Sequence, residues 1–411
     1  MKILHTSDWH LGRTLYGRKR YDEFSQFLNW LSETIEQRQI ELLLVAGDVF
    51  DTSTPSNRAQ QLYYQFLCKV SASSCRHIVI IAGNHDSPSF LDAPKELLKS
   101  LNVYVVGTIT DSLQDEVLMI NNEHGQAQLI VCAVPYLREK DIRKVEPGET
   151  LDDKAHKLIA GVQQHYAQVC ALAEQKQAEI LSQTQSSVPI IALGHLFTAG
   201  GKTLDGDGVR ELYIGSLAYV GQEMFPDCID YLALGHLHIP QQVADKDYFR
   251  YSGSPIAMSF AEAQQSKQLI QVEFVHNKST IETIVVPCFQ SLHRISGDLD
   301  ALYRQVEKLK QDDSHAWLEI EYTGDEIVTQ LWDLMAQMVE HSTIEILRIK
   351  NKQAVILTPV KEEETLDDLD ENDVFERCLQ AFDVAEDEQQ ELKASYNEIL
   401  RSLDEEDSNA Q

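Results

Sequence analysis

Lys2-Ile3-Leu4-His5-Thr6-Ser7-Asp8-Trp9-His10 opens the chain, a short apolar run that breaks into a polar turn carrying an aspartate and a histidine. Two later stretches follow the same pattern. Glu41-Leu42-Leu43-Leu44-Val45-Ala46 runs into Gly47-Asp48, with Asp51 three residues on, and His77-Ile78-Val79-Ile80-Ile81-Ala82 runs into Gly83-Asn84-His85-Asp86. Runs of this length bounded by glycine read as buried strands. Between them, residues 21–38 place Phe24, Phe27, Leu28, Leu31 and Ile35 on one helical face, and residues 57–72 read as a second helix. Strand, helix, strand, helix, strand predicts an α/β layered fold.

The rhythm continues. Strands are expected at 103–106, 116–120, 128–134, 189–193 and 231–234, with a long helix near 154–183 whose apolar face holds Leu158, Val162, Tyr166 and Val169. The glycine- and aspartate-rich stretch 198–210 reads as a loop. A hairpin over 269–274 and 280–286 closes a first domain, expected to span 1–287. Residues 288–358 alternate strand and helix, including a helix near 326–341, and read as a small α/β domain. Residues 359–411 form an acidic tail with amphipathic helices expected at 366–382 and 388–403.

Two further apolar runs end in Gly194-His195 and Gly235-His236-Leu237-His238. All five strand ends therefore carry hard or borderline metal ligands, at the sheet edge where open α/β folds bind their ligands. A preceding glycine permits the tight turn that aims each ligand inward. Asp8, His10, Asp48, Asn84, His195, His236 and His238 make a mixed oxygen and nitrogen set, suited to Mn, Fe or Zn rather than Ca. Seven ligands exceed one tetrahedral ion and suit two, with one aspartate bridging. Two ions roughly 3.5–4 Å apart can activate water and stabilise charge on a phosphoryl group.

Composition excludes several classes. The chain has 411 residues and a formal charge of −30, which argues against a simple electrostatic nucleic-acid binder. Residues 361–411 hold 19 acidic and 4 basic side chains, half of the excess, as a solvated or partner-binding segment would. The seven cysteines are scattered with no C-x-x-C pair, so buried reduced thiols are expected. No apolar run approaches the roughly 20 residues of a bilayer span, and a cytoplasmic location is expected.

Taken together, D-x-H, G-D-x-x-D, G-N-H-D, G-H and G-H-x-H resemble the motifs of the calcineurin-like metallophosphoesterases. The strings I-L-H-T-S-D-W-H-L-G, V-A-G-D-V-F-D-T, A-G-N-H-D-S and Y-S-G-S-P (251–255) narrow the resemblance to the DNA-end-processing nucleases of that superfamily. It extends along the whole chain and is most specific over 1–90 and 190–260. The resemblance implies a sandwich of two β-sheets flanked by helices, a small α/β capping domain at 288–358 and a helical tail that binds a partner. It implies Asp8, His10, Asp48 and His238 around one metal, and Asp48, Asn84, His195 and His236 around the other. It makes His85 a non-ligand facing the scissile phosphate, and Asp51 the residue that orients it; the archaeal and eukaryotic nucleases carry histidine at that position, which leaves its role open. It further implies Mn²⁺, 3′→5′ exonuclease and hairpin endonuclease activity in repair and recombination, a homodimer within a heterotetramer, and an ATPase partner with a coiled coil. A phosphatase or cyclic-nucleotide phosphodiesterase on the same core is the alternative, and a scaffold with structural metals a second.

The remaining features have plainer readings. His5 lies inside a strand and reads as a core residue or one that backs a ligand; Asp86 supports either His85 or its own turn. Arg13, Arg18, Lys19 and Arg20 are either a solvated loop or contacts to a phosphate backbone beside the metals.

Overall fold

The structure is a computed structural model that describes residues 1–143, 148–198, 224–243, 246–275, 277–312, 314–326, 328 and 330–351, together with Gln389, Leu392, Lys393 and Tyr396. Most of the stretch expected as a loop at 198–210, all of the helix expected at 366–382 and most of that at 388–403 lie outside the described residues.

In chain order the strands are β1 (Lys2–Thr6), β2 (Thr14–Leu15), β3 (Arg18–Lys19), β4 (Leu42–Ala46), β5 (His77–Ile81), β6 (Val103–Val106), β7 (Val117–Asn121), β8 (Ala127–Ala133), β9 (Ile190–His195), β10 (Tyr231–Gly235), β11 (Gln241–Val243), β12 (Lys246–Tyr251), β13 (Gln268–Val275), β14 (Lys278–Val285), β15 (Leu292–Gly297), β16 (Trp317–Tyr322) and β17 (Glu345–Asn351). Two six-stranded sheets result, one in the order β14-β13-β1-β4-β5-β6 and the other β11-β12-β10-β9-β8-β7. In the first, β1, β4, β5 and β6 are parallel; in the second, β8, β9, β10 and β12 are. Antiparallel strands extend both sheets, with β13 on β1 and β7 on β8.

Parallel strands buried on both faces need unbroken apolar sequence, which is what Leu42–Ala46 and Tyr231–Gly235 supply, buried throughout. The two sheets pack face to face. Ile3, Leu44, Val79 and Ile270 of the first interleave with Val131, Ile191, Leu193 and Ala233 of the second. Burying each large side chain of this kind contributes roughly 1.5–3 kcal/mol, so this inner layer fixes how the two sheet edges align. Helices α1 (Tyr21–Arg38) and α2 (Asn57–Ser71) cover the outer face of the first sheet, through Phe24, Phe27, Leu31, Phe66 and Leu67. The Ser56 side chain caps α2 by accepting from the Ala59 N–H. The helix Leu151–Thr184 covers the second sheet with Val162, Tyr166 and Val169, and starts at a Thr150/Asp153 capping box. The chain is thus the layered α/β sandwich expected.

By compactness the chain divides into two units. Among the described residues, one comprises those of Met1–Arg294, Glu307–Glu319 and Val339–Arg348; the other comprises those of Ile295–Val306, Ile320–Met338 and from Ile349 onward. Strands β15, β16 and β17 form a sheet in that order, alternating with helices Leu299–Gln311 and Leu331–Met338. No described helix is long and apolar enough to cross a membrane.

Candidate metal centre

The turn after β1 is held down from within. Trp9 is fully buried, donates its indole N–H to Thr6 Oγ1 at 2.9 Å, and packs edge-on against Phe27 and Phe66. The turns after β1 and β4 then zip together through Asp8 N–H to Gly47 O (3.0 Å) and His10 N–H to Asp48 O (2.9 Å). Asp8, His10, Asp48 and His236 sit at φ of 54°, 47°, 51° and 101°. Positive φ is strained for such residues, and persists only where the surroundings enforce it.

The glycines work mainly by leaving room. Only Gly47 among the four that precede candidate ligands has positive φ, at 86°. A Cβ on Gly47 would meet His195 Nδ1, on Gly83 the Asp48 carboxylate, on Gly194 the Tyr166 hydroxyl and on Gly235 the Ala46 carbonyl. The turn-forming role expected from sequence thus holds at Gly47, and close approach explains the other three.

All seven residues expected as ligands converge. His10 Nε2 lies 3.1 Å from His238 Nε2, and Asp8, His10 and His238 bring one donor atom each within 4.8 Å of one another. Asn84 Oδ1 lies 3.0 Å from both His195 Nε2 and His236 Nδ1. Between the two groups stands Asp48, with Oδ2 3.3 Å from His195 Nε2 and 3.6 Å from His10 Nε2, and Oδ1 accepting the His85 backbone N–H at 2.9 Å. Asp8 accepts from Ser7 Oγ (2.5 Å) and from the His236 N–H (2.9 Å). Buried imidazole nitrogens and carboxylates facing each other at these distances fit divalent cations: each has a lone pair to give, and the set contains no thiolate and no lysine.

Burial and the crowded carboxylates pull the ionisable groups in opposite directions. Burial pushes His10 down to about 4 and His236 down to about 3, so both are neutral, as ligation requires. Burial would also lower His195, but the charge of Asp48 prevails and raises it to about 9. Burial raises the carboxyl of Asp8 above its usual range; for Asp48 burial is outweighed by His195 and His10, which hold it well below.

His85 stands beside this set, its ring 4.8 Å from that of His10. Its Nδ1 lies 2.8 Å from the Asp51 carbonyl oxygen. A carbonyl only accepts, so Nδ1 carries the proton and Nε2 is left to exchange one. Asp51 thus holds His85 through its backbone. Its carboxylate turns elsewhere, 3.4 Å from His10 Nδ1 and 3.1 Å from Arg13 Nη1. Asp86 is a staple: it accepts the N–H groups of Gly83 (2.8 Å), Phe50 (2.9 Å) and Val49 (3.1 Å), tying the β4 and β5 turns together.

The four basic residues separate. Arg18 and Lys19 are exposed on the β2–β3 hairpin, Arg18 donating to Glu345 at 2.7 Å, and Arg13 pairs with Asp51. Arg20 corrects the sequence expectation: it is 2% exposed and ion-paired to Glu23 at 2.7 Å, so its guanidinium has no face to offer a phosphate. His5 is a core residue as expected, bonded through Nδ1 to the Tyr231 hydroxyl at 2.9 Å.

Two residues escape the sequence motifs. Glu262 and Lys267 form a buried ion pair against His238, with Glu262 Oε1 3.6 Å from His238 Nδ1. They follow the last ligand by more than 20 residues and belong to no metal motif. The only signal is a carboxylate ending the largely apolar run Pro255-Ile256-Ala257-Met258-Ser259-Phe260-Ala261-Glu262.

Comparison with known proteins places these features in a group. The calcineurin-like phosphoesterase family matches residues 1–240, and the "Type 5 capsule protein repressor C-terminal domain" family matches residues 288–382. The SbcD subunit of the nuclease SbcCD from Escherichia coli (strain K12) is 34% identical over 412 residues, covering 98% of each chain. Its namesake in Bacillus subtilis (strain 168) is 32% identical over 325 residues, 78% of each chain. A solved dimetal phosphatase from Danio rerio covers 70% of this chain and 97% of its own, at 9% identity and a TM-score of 0.41, too loose a match to carry weight.

Proposed function

Because the chain belongs to the calcineurin-like phosphoesterase family, and within it to the SbcD subunits of the SbcCD nucleases, we propose that it is a two-metal phosphodiesterase that cuts DNA together with an SbcC-type ATPase. The observation that carries this reading is the pair of donor groups meeting across Asp48, with the His85 ring beside them. Asp8, His10, Asp48 and His238 would hold one divalent ion, and Asp48, Asn84, His195 and His236 the other. When bound, such ions supply Lewis acidity toward a phosphodiester and offset charge developing in the transition state.

The chain's own residues supply the rest. The Asp51 carbonyl fixes the His85 tautomer, so that His85 Nε2 can hand a proton to the departing oxygen or donate to the phosphoryl group. Trp9 and the paired turns hold Asp8 and His10 against a packed wall, which limits the motion a reacting phosphate would meet. In this reading Arg18 and Lys19, exposed on their hairpin, and Arg13 meet the phosphate backbone of the substrate. In this reading Mn²⁺ is the working metal, residues 288–358 cap the site and contact DNA, residues 359–411 dock on the ATPase, and the enzyme acts as a homodimer in the cytoplasm.

The test pairs two substrates. The full chain is incubated with Mn²⁺, a labelled hairpin DNA and a generic aryl phosphodiester. Metal-dependent DNA cleavage is expected. Turnover of the small ester alone would sink the nuclease reading in favour of a small-molecule phosphodiesterase.

A further inference from the structure

The three histidines that present Nε2 to the candidate centre are held from behind in two ways. His195 Nδ1 meets a main-chain carbonyl, that of Ala46, at 2.9 Å. His10 and His238 meet carboxylates instead, Asp51 at 3.4 Å and Glu262 at 3.6 Å. Both carboxylate-backed histidines belong to the Asp8–His10–His238 group. The two halves of the centre are therefore backed by different chemistry.

Glu262 is built into its position. It has no solvent exposure, and its two oxygens do different jobs. Oε2 accepts from Met258 N–H (3.2 Å) and Ser254 Oγ (3.3 Å) and is ion-paired to Lys267. Oε1 is buried without a hydrogen-bond partner and looks toward His238 Nδ1. Lys267 Nζ also donates to Ser254 Oγ (3.0 Å) and to the His238 carbonyl (3.1 Å), so it clamps the backbone of the same histidine. A buried carboxylate is costly unless compensated, and Lys267 supplies that compensation on one oxygen while leaving the other for the ring.

We propose that Glu262, clamped by Lys267, is a positioning residue: it keeps the proton of His238 on Nδ1, presents Nε2 as a lone pair, and so sets the metal affinity of the Asp8–His10–His238 half. This rests on the two-metal reading above. Carboxylates behind ligating histidines fix the ring and raise its basicity, and their loss typically costs about 10–100-fold in metal affinity. The half of the centre backed by Ala46 gains no such charge and is untouched by the substitution.

The test is Mn²⁺ titration of the full chain by calorimetry, with Mn²⁺ electron paramagnetic resonance as a second readout. Wild type is expected to bind two ions. Glu262→Gln should weaken one of them by about 10–100-fold and leave the other unchanged. Because that variant strands the Lys267 charge, the double variant Glu262→Gln/Lys267→Met is measured beside it; if the single variant does not fold, the double decides. Glu262→Asp, which restores the charge at longer reach, should recover part of the loss; a merely structural role predicts no such rescue. Two ions bound at wild-type affinity by either folded Gln variant would overturn the proposal alone. Failure of wild type to bind two ions would instead overturn the reading beneath it.

Discussion

Adding one methyl group at Gly83 should disable this centre with every ligand residue left in the sequence. Gly83 sits in the ordinary region of backbone space, so alanine is not strained there by φ. The obstacle is space: a Cβ would press into the Asp48 carboxylate and the Asp48 backbone nitrogen, well inside the 3.0 Å that real Cβ atoms keep. Asp48 has to retreat on the order of 1 Å, and a misplacement of that size costs about 10²-fold in rate. Nothing nearby absorbs it. Asp48 is pinned at φ 51°, its Oδ1 accepts from His85 N–H at 2.9 Å, and its Oδ2 stands 3.3 Å from His195. A retreat of that order stretches the first of these beyond hydrogen-bond range. The assay is Mn²⁺-dependent cleavage of labelled DNA, with metal stoichiometry and thermal melting on the same preparations. Gly125→Ala is the control: Gly125 has φ 75° but open space around it, so alanine costs only about 1–2 kcal/mol of backbone strain and no activity. The reasoning fails if Gly83→Ala binds two ions and cuts as fast as wild type.

Three further outcomes are expected. His85→Gln should retain both metals and lose roughly 10²–10⁴-fold in cleavage; undiminished cleavage removes His85 from the chemistry. Glu23→Leu strands the buried Arg20 guanidinium and should cost about 3–5 kcal/mol in urea unfolding, most of it recovered in Arg20→Met/Glu23→Leu; equal stability of both variants would contradict the burial of that pair, and weakened DNA binding by the double variant would restore Arg20 as a phosphate contact. His5 is held down to about 3 by burial against an ordinary 6.5, so the unfolded chain binds a proton that the fold refuses. Its contribution is therefore intact above pH 6.5 and declines as pH falls toward 3, by at most about 1.4 kcal/mol per pH unit. His5→Phe in chelator should flatten the loss of stability between pH 6.5 and 4, and parallel curves would refute the assignment.

The layers and the ligand set were legible because both are written in short-range pattern. An apolar run followed by glycine and a donor marks a strand end, and five such ends on one sandwich leave little freedom in where the donors go. What was not legible depends on contacts between distant segments. Gly83, Gly194 and Gly235 read as turn formers, yet each is small because another residue's atoms occupy the space. Asp51 was matched to His85 by position, and reaches it through a carbonyl that no side-chain motif encodes. Arg20 looked like one more cation in a basic loop, and the folded chain buries it with Glu23. The left-handed backbone at Asp8, His10, Asp48 and His236 runs against local preference at every position, so local preference could not have announced it.

The two donor groups draw on both sheets: residues up to Asn84 come from the first, and His195, His236 and His238 from the second. A chain emerging from the ribosome therefore carries its early donors long before their counterparts exist. No fragment ending before residue 195 can present a complete pocket for either ion, and the pocket is complete only once residue 238 is in place. On the reading proposed above, synthesis is past its midpoint before either donor set is whole.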